Sequence, residues 1–447
     1  MKTVLIIFFL AFASTSWSQQ PVTGTNEITL DQAIRIALEK NYTTRTASND
    51  LAVSQYERDK AGDNLLPTAL ATASYGYSHS LTAQQVNIFT GQTPDPNSHS
   101  LRYNVGASFN IYNGGFDAAN IRSSDYSLDA AKYNLKWVRQ QLAFNVVSAY
   151  ITALRTKELM NSAEKTLAES KSQLDRLNGL YSAGSVPVGQ VYQQEALVGQ
   201  QEVQHIQAQN NFLNAKADLL FLLNVAPDSY SNYDVSVTGI DTSLTSLKSK
   251  EATVQPTPSL MNSLLAQRED FLSLRSSILA SEAAIGLTRS KLYPSLSASA
   301  GIGGLGSDAQ IQKIQLFHSL TGGLSLSVPI YDAAQNRLQI DIQEVQLETS
   351  KVHLEQSEQQ FRSDIAKAQN NLFSSELAVN ATASELKSAE ESLRSASERL
   401  KVGAGIQVDV IVAEAQVQTA RADRINAVYN YLLATRQLEY LLGKTNY

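Results

Sequence analysis

The spacing of apolar positions along this chain changes in a set order, and the order runs twice. Ile28, Leu30, Ala33, Ile34, Ala37 and Leu38 recur at helical spacing, which predicts a helix over 29–65 that Pro67 stops. The period then drops to two. Val105, Ala107, Phe109 and Ile111 alternate with Asn104, Gly106, Ser108 and Asn110, so 69–77 and 103–112 are predicted strands of a β-hairpin over about 69–112. Residues 114–182 follow without a proline, Ala183-Gly184 and Pro187 break them, and 191–224 resume helical spacing. A helical hairpin over 114–224 results. The second pass places Leu296, Ala298, Ala300 and Ile302, then Leu324, Leu326, Val328 and Ile330, at period two, predicting a hairpin over about 295–331. Residues 333–402 are again free of proline, Gly403-Ala404-Gly405 breaks them, and 410–442 return, giving a helical hairpin over 333–442.

The two passes are copies. Phe109-Asn110-Ile111-Tyr112-Asn113-Gly114-Gly115 reappears as Val328-Pro329-Ile330-Tyr331-Asp332-Ala333-Ala334, and the stretch from Gly184 to Glu195-Ala196 reappears from Gly403 to Glu414-Ala415, both 219 residues on. Solenoid repeats run at about 20–50 residues, so this is a duplicated half-molecule. The predicted organisation is a segment 1–18, a first repeat 19–224, a connector 225–258 on the outside of the fold, and a second repeat 259–447. Asn113 and Asp332 stand where the long helices need an N-cap. Pro67 and Pro294 mark the passage from helix to strand.

Each strand is about 9–11 residues long, apolar on one face and small or polar on the other, as in a tilted strand crossing a membrane. A half-buried sheet of a soluble sandwich gives the same alternation. Each proline-free segment would span on the order of 100 Å as a helix. Its Ala, Ser, Gln, Asn and charged residues, with sparse Leu, suit a helix wet on two sides and packed along narrow seams. Four strands cannot close a membrane barrel, which needs at least about eight, and open edges in lipid are costly. Membrane strands here therefore require an oligomer.

Composition narrows the class. Lys2 and the apolar run Val4 to Ala13, with Ser16 and Ser18 at cleavage spacing, predict a secretory signal over 1–18 and a mature chain from Gln19. There is no cysteine, which excludes disulfides, thiolate metal sites and a lipid anchor on an N-terminal cysteine. The formal charge of −6 comes with no basic cluster, so nucleic acid is not a predicted partner. His79, His99, His205, His318 and His353 are scattered with no zinc spacing, and Gly301-Ile302-Gly303-Gly304 lacks the Lys-Ser/Thr of a phosphate loop. No catalytic residues, metal or cofactor are predicted, and the protein is read as not an enzyme.

The order of elements, the duplication, the junctions Leu66-Pro67 and Tyr293-Pro294, the Ile-Tyr-Asn/Asp steps and the segment from Gly403 through Asp409-Val410 to Ala415 together resemble the TolC family of outer-membrane efflux proteins. The resemblance covers about 28–443. It implies a mostly α fold with a transmembrane β-barrel: a homotrimer whose chains give four strands each to a 12-stranded barrel, above a long α-helical barrel in the periplasm. It implies an exit duct for tripartite efflux or type I secretion, set in outer-membrane lipid and partnered by a periplasmic adaptor (membrane fusion) protein and an inner-membrane transporter. The rival reading is a periplasmic coiled-coil tether or scaffold that conducts nothing.

Candidate site residues lie at the helical turns. Asp409 and Glu414 follow Gly403, and threefold symmetry would turn an axis-facing carboxylate into a ring at the periplasmic gate. The other reading of Asp409 is an N-cap of the return helix. Gln190 stands at the matching place in the first repeat, and Pro187 stands against Gln407. Gly184, Val186, Val188, Gly403, Gly405 and Ile406 are small or uncharged and read either as adaptor-docking tips or as ordinary tight turns.

Overall fold

A computed structural model describes residues 26–81, 95–236 and 258–444. The predicted signal segment and most of the predicted connector lie outside the described residues, as does much of the first hairpin loop. In chain order the elements are β1 (Asn26–Ile28), α1 (Leu30–Lys40), α2 (Tyr42–Asp63), β2 (Thr68–His79), β3 (Asn97–Asn113), α3 (Phe116–Ser182), α4 (Val188–Leu222), β4 (Tyr233–Val235), α5 (Pro258–Gln267), α6 (Glu269–Arg289), β5 (Ser295–Asp308), β6 (Phe317–Ser327), α7 (Gln335–Lys401) and α8 (Gln407–Leu441).

The duplication is metrical. α3 and α7 each hold 67 residues and α4 and α8 each hold 35. All four ends keep the offset of 219: Phe116 to Gln335, Ser182 to Lys401, Val188 to Gln407, Leu222 to Leu441. Every one of these helices stops in the same way. The chain turns left-handed at Gly184, Asn224, Gly403 and Gly443, with φ of +73°, +54°, +72° and +64°. Two backbone bonds then close each end, for example Ser185 N to Leu180 O at 2.8 Å and Gly184 N to Tyr181 O at 2.9 Å. Ala404 N to Arg399 O at 2.8 Å and Gly403 N to Leu400 O at 3.1 Å repeat the pattern.

Two sequence expectations are corrected here, and a third segment gains local structure. The helix predicted over 29–65 is two helices, because Asn41 leaves the helical conformation and its Oδ1 accepts from Thr43 N at 2.8 Å. The last strand ends at Ser327 rather than continuing through Ile330, since Pro329 has no N–H to offer a ladder. The connector is partly built: Pro227–Asn232 form a 3₁₀ turn, and β4 pairs in parallel with β1.

The chain divides into two compact units that cut across the repeats. One holds residues up to Arg35 and Ala149–Asp241. In it the buried face of α3, with Tyr150, Leu154, Leu167 and Leu177, belongs with Val191, Leu197, Phe212 and Leu219 of α4. The β1–β4 ribbon is fastened by α3: the Tyr150 hydroxyl meets Ile28 O at 2.8 Å and Ser236 O at 2.5 Å. Two helical turns on, Lys157 Nζ reaches Asp234 Oδ2 at 2.9 Å and Val235 O at 2.8 Å.

The other unit holds Ile36–Ser148 and Thr242–Tyr447. Its core joins α5, α6, α7 and α8 through Leu265, Phe271, Phe361, Ile365, Leu372, Ala434 and Leu438. Phe271 meets Phe361 edge-on at 5.5 Å, and the Arg268 guanidinium lies 4.5 Å over the Phe361 ring. Arg268 also closes on Asp270 at 2.8 Å and donates to Leu441 O at 3.2 Å, so one cation ties the start of α6 to the end of α8. The four long strands form a sheet in the order β2-β3-β5-β6, antiparallel throughout.

Candidate functional site

Cross-strand register sorts the sheet into two faces, because residues paired across neighbouring strands lie on the same side. One row runs Ala71, Val105, Ile302, Leu320, and another Ala69, Ala107, Ala300, Gly322. With Phe109, Ala298 and Leu324 these make an apolar face, and Leu320, Leu324 and Ile302 are exposed on it. Toward the loops this face ends in aromatic and histidine side chains. Tyr75 Oη lies 2.7 Å from His99 Nδ1, and Tyr103 Oη lies 2.5 Å from His318 Nδ1. The opposite face carries rows such as Thr72, Asn104, Gly303, Ser319 and Thr68, Ser108, Ser299, Gly323. A sheet apolar on one side and serine-rich on the other fits lipid outside and water inside. Its outer strands β2 and β6 have no further strand beside them among the described residues.

The strand-to-helix junctions differ between the repeats. Pro67 and Pro294 each directly precede a strand. At the far end of the first hairpin, Asn113 Oδ1 accepts from Asp117 N at 3.3 Å while Gly114 and Gly115 turn left-handed. A Cβ on Gly114 would collide with the Ser290 carbonyl oxygen, so only glycine fits there. In the second repeat Ala333 and Ala334 make the same turn at φ of +53° and +62°. The N-cap of α7 is Ala334, not Asp332. The Asp332 carboxylate does the capping from two residues earlier, accepting from Asn336 N at 3.1 Å and Ala334 N at 3.0 Å. Those backbone donors hold its carboxyl below the ordinary carboxylate range.

The turn residues are placed as follows. Gly184, Val188, Gly403, Ile406 and Asp409 are exposed, and Val186, Gly405, Gln190 and Glu414 are half-buried. Asp409 is not an N-cap. That position belongs to Ile406, and Asp409 is the third residue of α8, where a carboxylate still favours the helix N-terminus. Pro187 caps α4 as Ile406 caps α8, so Gln407 matches Val188 rather than Pro187. The burial of Gln407 was not signalled by sequence pattern. Gln407 is 2% exposed, and neither its Nε2 nor its Oε1 has a hydrogen-bond partner among the described residues. A recess of about 800 Å³ is lined by Arg122, Glu282, Arg289, Glu344 and Lys351, with Arg289 3.4 Å from Glu344. No three His, Asp or Glu side chains gather as metal ligands among the described residues. No described helix is long and apolar enough to cross a membrane.

A family model described as outer membrane efflux protein matches residues 33–225 and 260–444, nearly the whole of both repeats. The chain belongs to that family. Membership places this efflux protein in the outer membrane, extending into the periplasm. It is 24% identical over 292 residues to the cation efflux system protein CusC of Escherichia coli, which covers 64% of this chain and 61% of CusC. It is 23% identical over 321 residues to the pyoverdine export outer membrane protein OpmQ of Pseudomonas putida, covering 71% of this chain and 65% of OpmQ. The chain thus spans somewhat under two thirds of these relatives in the aligned stretches. The fold of the Campylobacter jejuni CmeC outer membrane channel superposes with a TM-score of 0.78 at 16% identity, over 99% of this chain and 94% of that one. The efflux protein's mostly helical fold with a small β domain is the fold of those channels.

Proposed function

We propose that three copies of this chain assemble around one axis as the exit duct of a tripartite efflux or type I secretion system. The observation that carries this reading is the four-stranded sheet with one apolar face, one serine-rich face and two edges unpaired among the described residues. Unpaired backbone groups in lipid cost several kcal/mol each, and four strands are too few to close. Three sheets joined β6 to β2 give twelve strands and leave no edge. The 67-residue helices, wet over much of their surface, supply a wall of the same symmetry.

Cargo moves passively in this reading, and the work is done by an inner-membrane transporter through a periplasmic adaptor. The turns at Gly184, Val186, Val188 and at Gly403, Gly405, Ile406 are the adaptor-docking tips: they offer exposed apolar surface, with Val188 at 40% and Ile406 at 61% exposure. Asp409, Glu414 and Gln190 line the narrow mouth; at the Asp409 level only the second repeat contributes acid, since Gln190 stands there in the first, whereas Glu414 has Glu195 as its counterpart. CusC and OpmQ are named for different cargoes, cations and pyoverdine, so those names do not choose the cargo here.

Purified protein tests this directly. Detergent-extracted trimers that raise conductance in planar bilayers are the expected result. A monomer that is soluble without detergent and never conducts overturns it in favour of a tether.

A further inference from the structure

The serine-rich face of the sheet carries one charged side chain among the described residues, Arg102. The register sets it in the row Ser74, Arg102, Leu305, Phe317. The other charged or titratable ends of the strands, His79, His99, Asp308 and His318, fall on the opposite face near the loops, where His99 pairs with Asp308 across β3 and β5. Arg102 is exposed and has no ion-pair partner among the described residues.

Arg102 lies toward the loop end of the sheet, one step beyond the row Tyr103, Gly304, His318 and level with Phe317, the first residue of β6. Its strand register puts it on the serine face, the side that fits water. Resting on the trimeric duct reading, we propose that Arg102 and its two symmetry mates form a cationic ring inside the β-barrel that favours anionic cargo. A guanidinium stays protonated at any physiological pH. Rings of arginine or lysine are how pores attract anions, and low-dielectric walls concentrate the field. Leu305 and Phe317 occupy the same level and are exposed, at 47% and 76%. Around the ring each guanidinium is thus followed by an apolar shelf. The cargo that uses both is an organic carboxylate or phosphate with an apolar body.

Two measurements on the full-length protein test this. The chain has no cysteine, so Arg102→Cys and Val105→Cys are each a single label site. In intact outer membranes a membrane-impermeant maleimide should modify the Arg102→Cys variant and spare the Val105→Cys variant. The reverse pattern overturns the assignment of the serine face to the lumen. In planar bilayers under a salt gradient, the acidic mouth acts in series with the ring, so the test is the change on altering Arg102. Arg102→Gln should lower the chloride-to-potassium permeability ratio several-fold relative to wild type, and Arg102→Glu should lower it further. Conducting trimers whose reversal potential is the same in all three overturn the ring alone. Wild-type trimers that insert and never conduct overturn the duct reading and the ring with it.

Discussion

Ala333 and Ala334 hold a left-handed turn that their counterparts Gly114 and Gly115 hold without strain. A side chain in that conformation costs roughly 1–2 kcal/mol per residue, partly offset by glycine's greater freedom when unfolded. Ala333→Gly and Ala334→Gly should each stabilise the protein by about 1 kcal/mol in thermal melts, whereas Gly114→Ala should destabilise it by more. The reason for the asymmetry is visible in the space around Gly114, where an added methyl group would run into the backbone carbonyl of Ser290. Gln407 gives a second residue-scale test. Its buried carboxamide lacks partners among the described residues, so Gln407→Leu should gain about 1–2 kcal/mol. A loss in denaturant titrations would show that the carboxamide is bonded in the assembled protein. Neither feature was legible in the sequence: an Ala-Ala pair announces no turn, and a glutamine on a polar helix announces no burial.

At the scale of elements, most of the plan was legible because it rests on periodicity and punctuation. Proline-free stretches between glycines placed α3 and α7 to within two residues, since nothing inside them competes with the helix. What escaped were local capping and distant pairing. Asn41 breaks the first helix because its side chain offers Thr43 N a better bond than the helix does, yet apolar spacing continues across it. β1 and β4 are three residues each and lie far apart in sequence, too short for any alternation to show. Their ribbon depends on Tyr150, whose hydroxyl has one proton for two carbonyls. Tyr150→Phe leaves both carbonyls without that donor and should cost about 1–3 kcal/mol. Burial also pushes the Tyr150 phenol up to about 12. Because the folded state holds the proton more tightly, this contribution is complete below the ordinary phenol value of about 10 and fades as pH rises toward 12. The difference in phenolate absorbance between wild type and Tyr150→Phe should rise near pH 12, and a rise near 10 would show the hydroxyl to be exposed.

For the whole molecule, the need for partners was legible in what one chain lacks, namely enough strands to close, and the structure leaves β2 and β6 as the sheet's edges among the described residues, where the proposed trimer would close. The gate was less legible than the sheet. Asp409 falls three residues into α8, so its capping reading fails, while a ring at the pore depends on neighbours outside the single chain. The edges have a genetic consequence. A copy that inserts normally but carries a proline within β6 can still offer β2 to one neighbour while refusing the other. In a threefold assembly with equal amounts of intact and damaged chain, only about one trimer in eight is wholly intact. Such an allele should be dominant, lowering efflux in cells that also make the wild-type protein far below the half that simple dilution gives. Dye-export rates in merodiploid strains would measure it, and a drop to one half would mean that chains sort before they close.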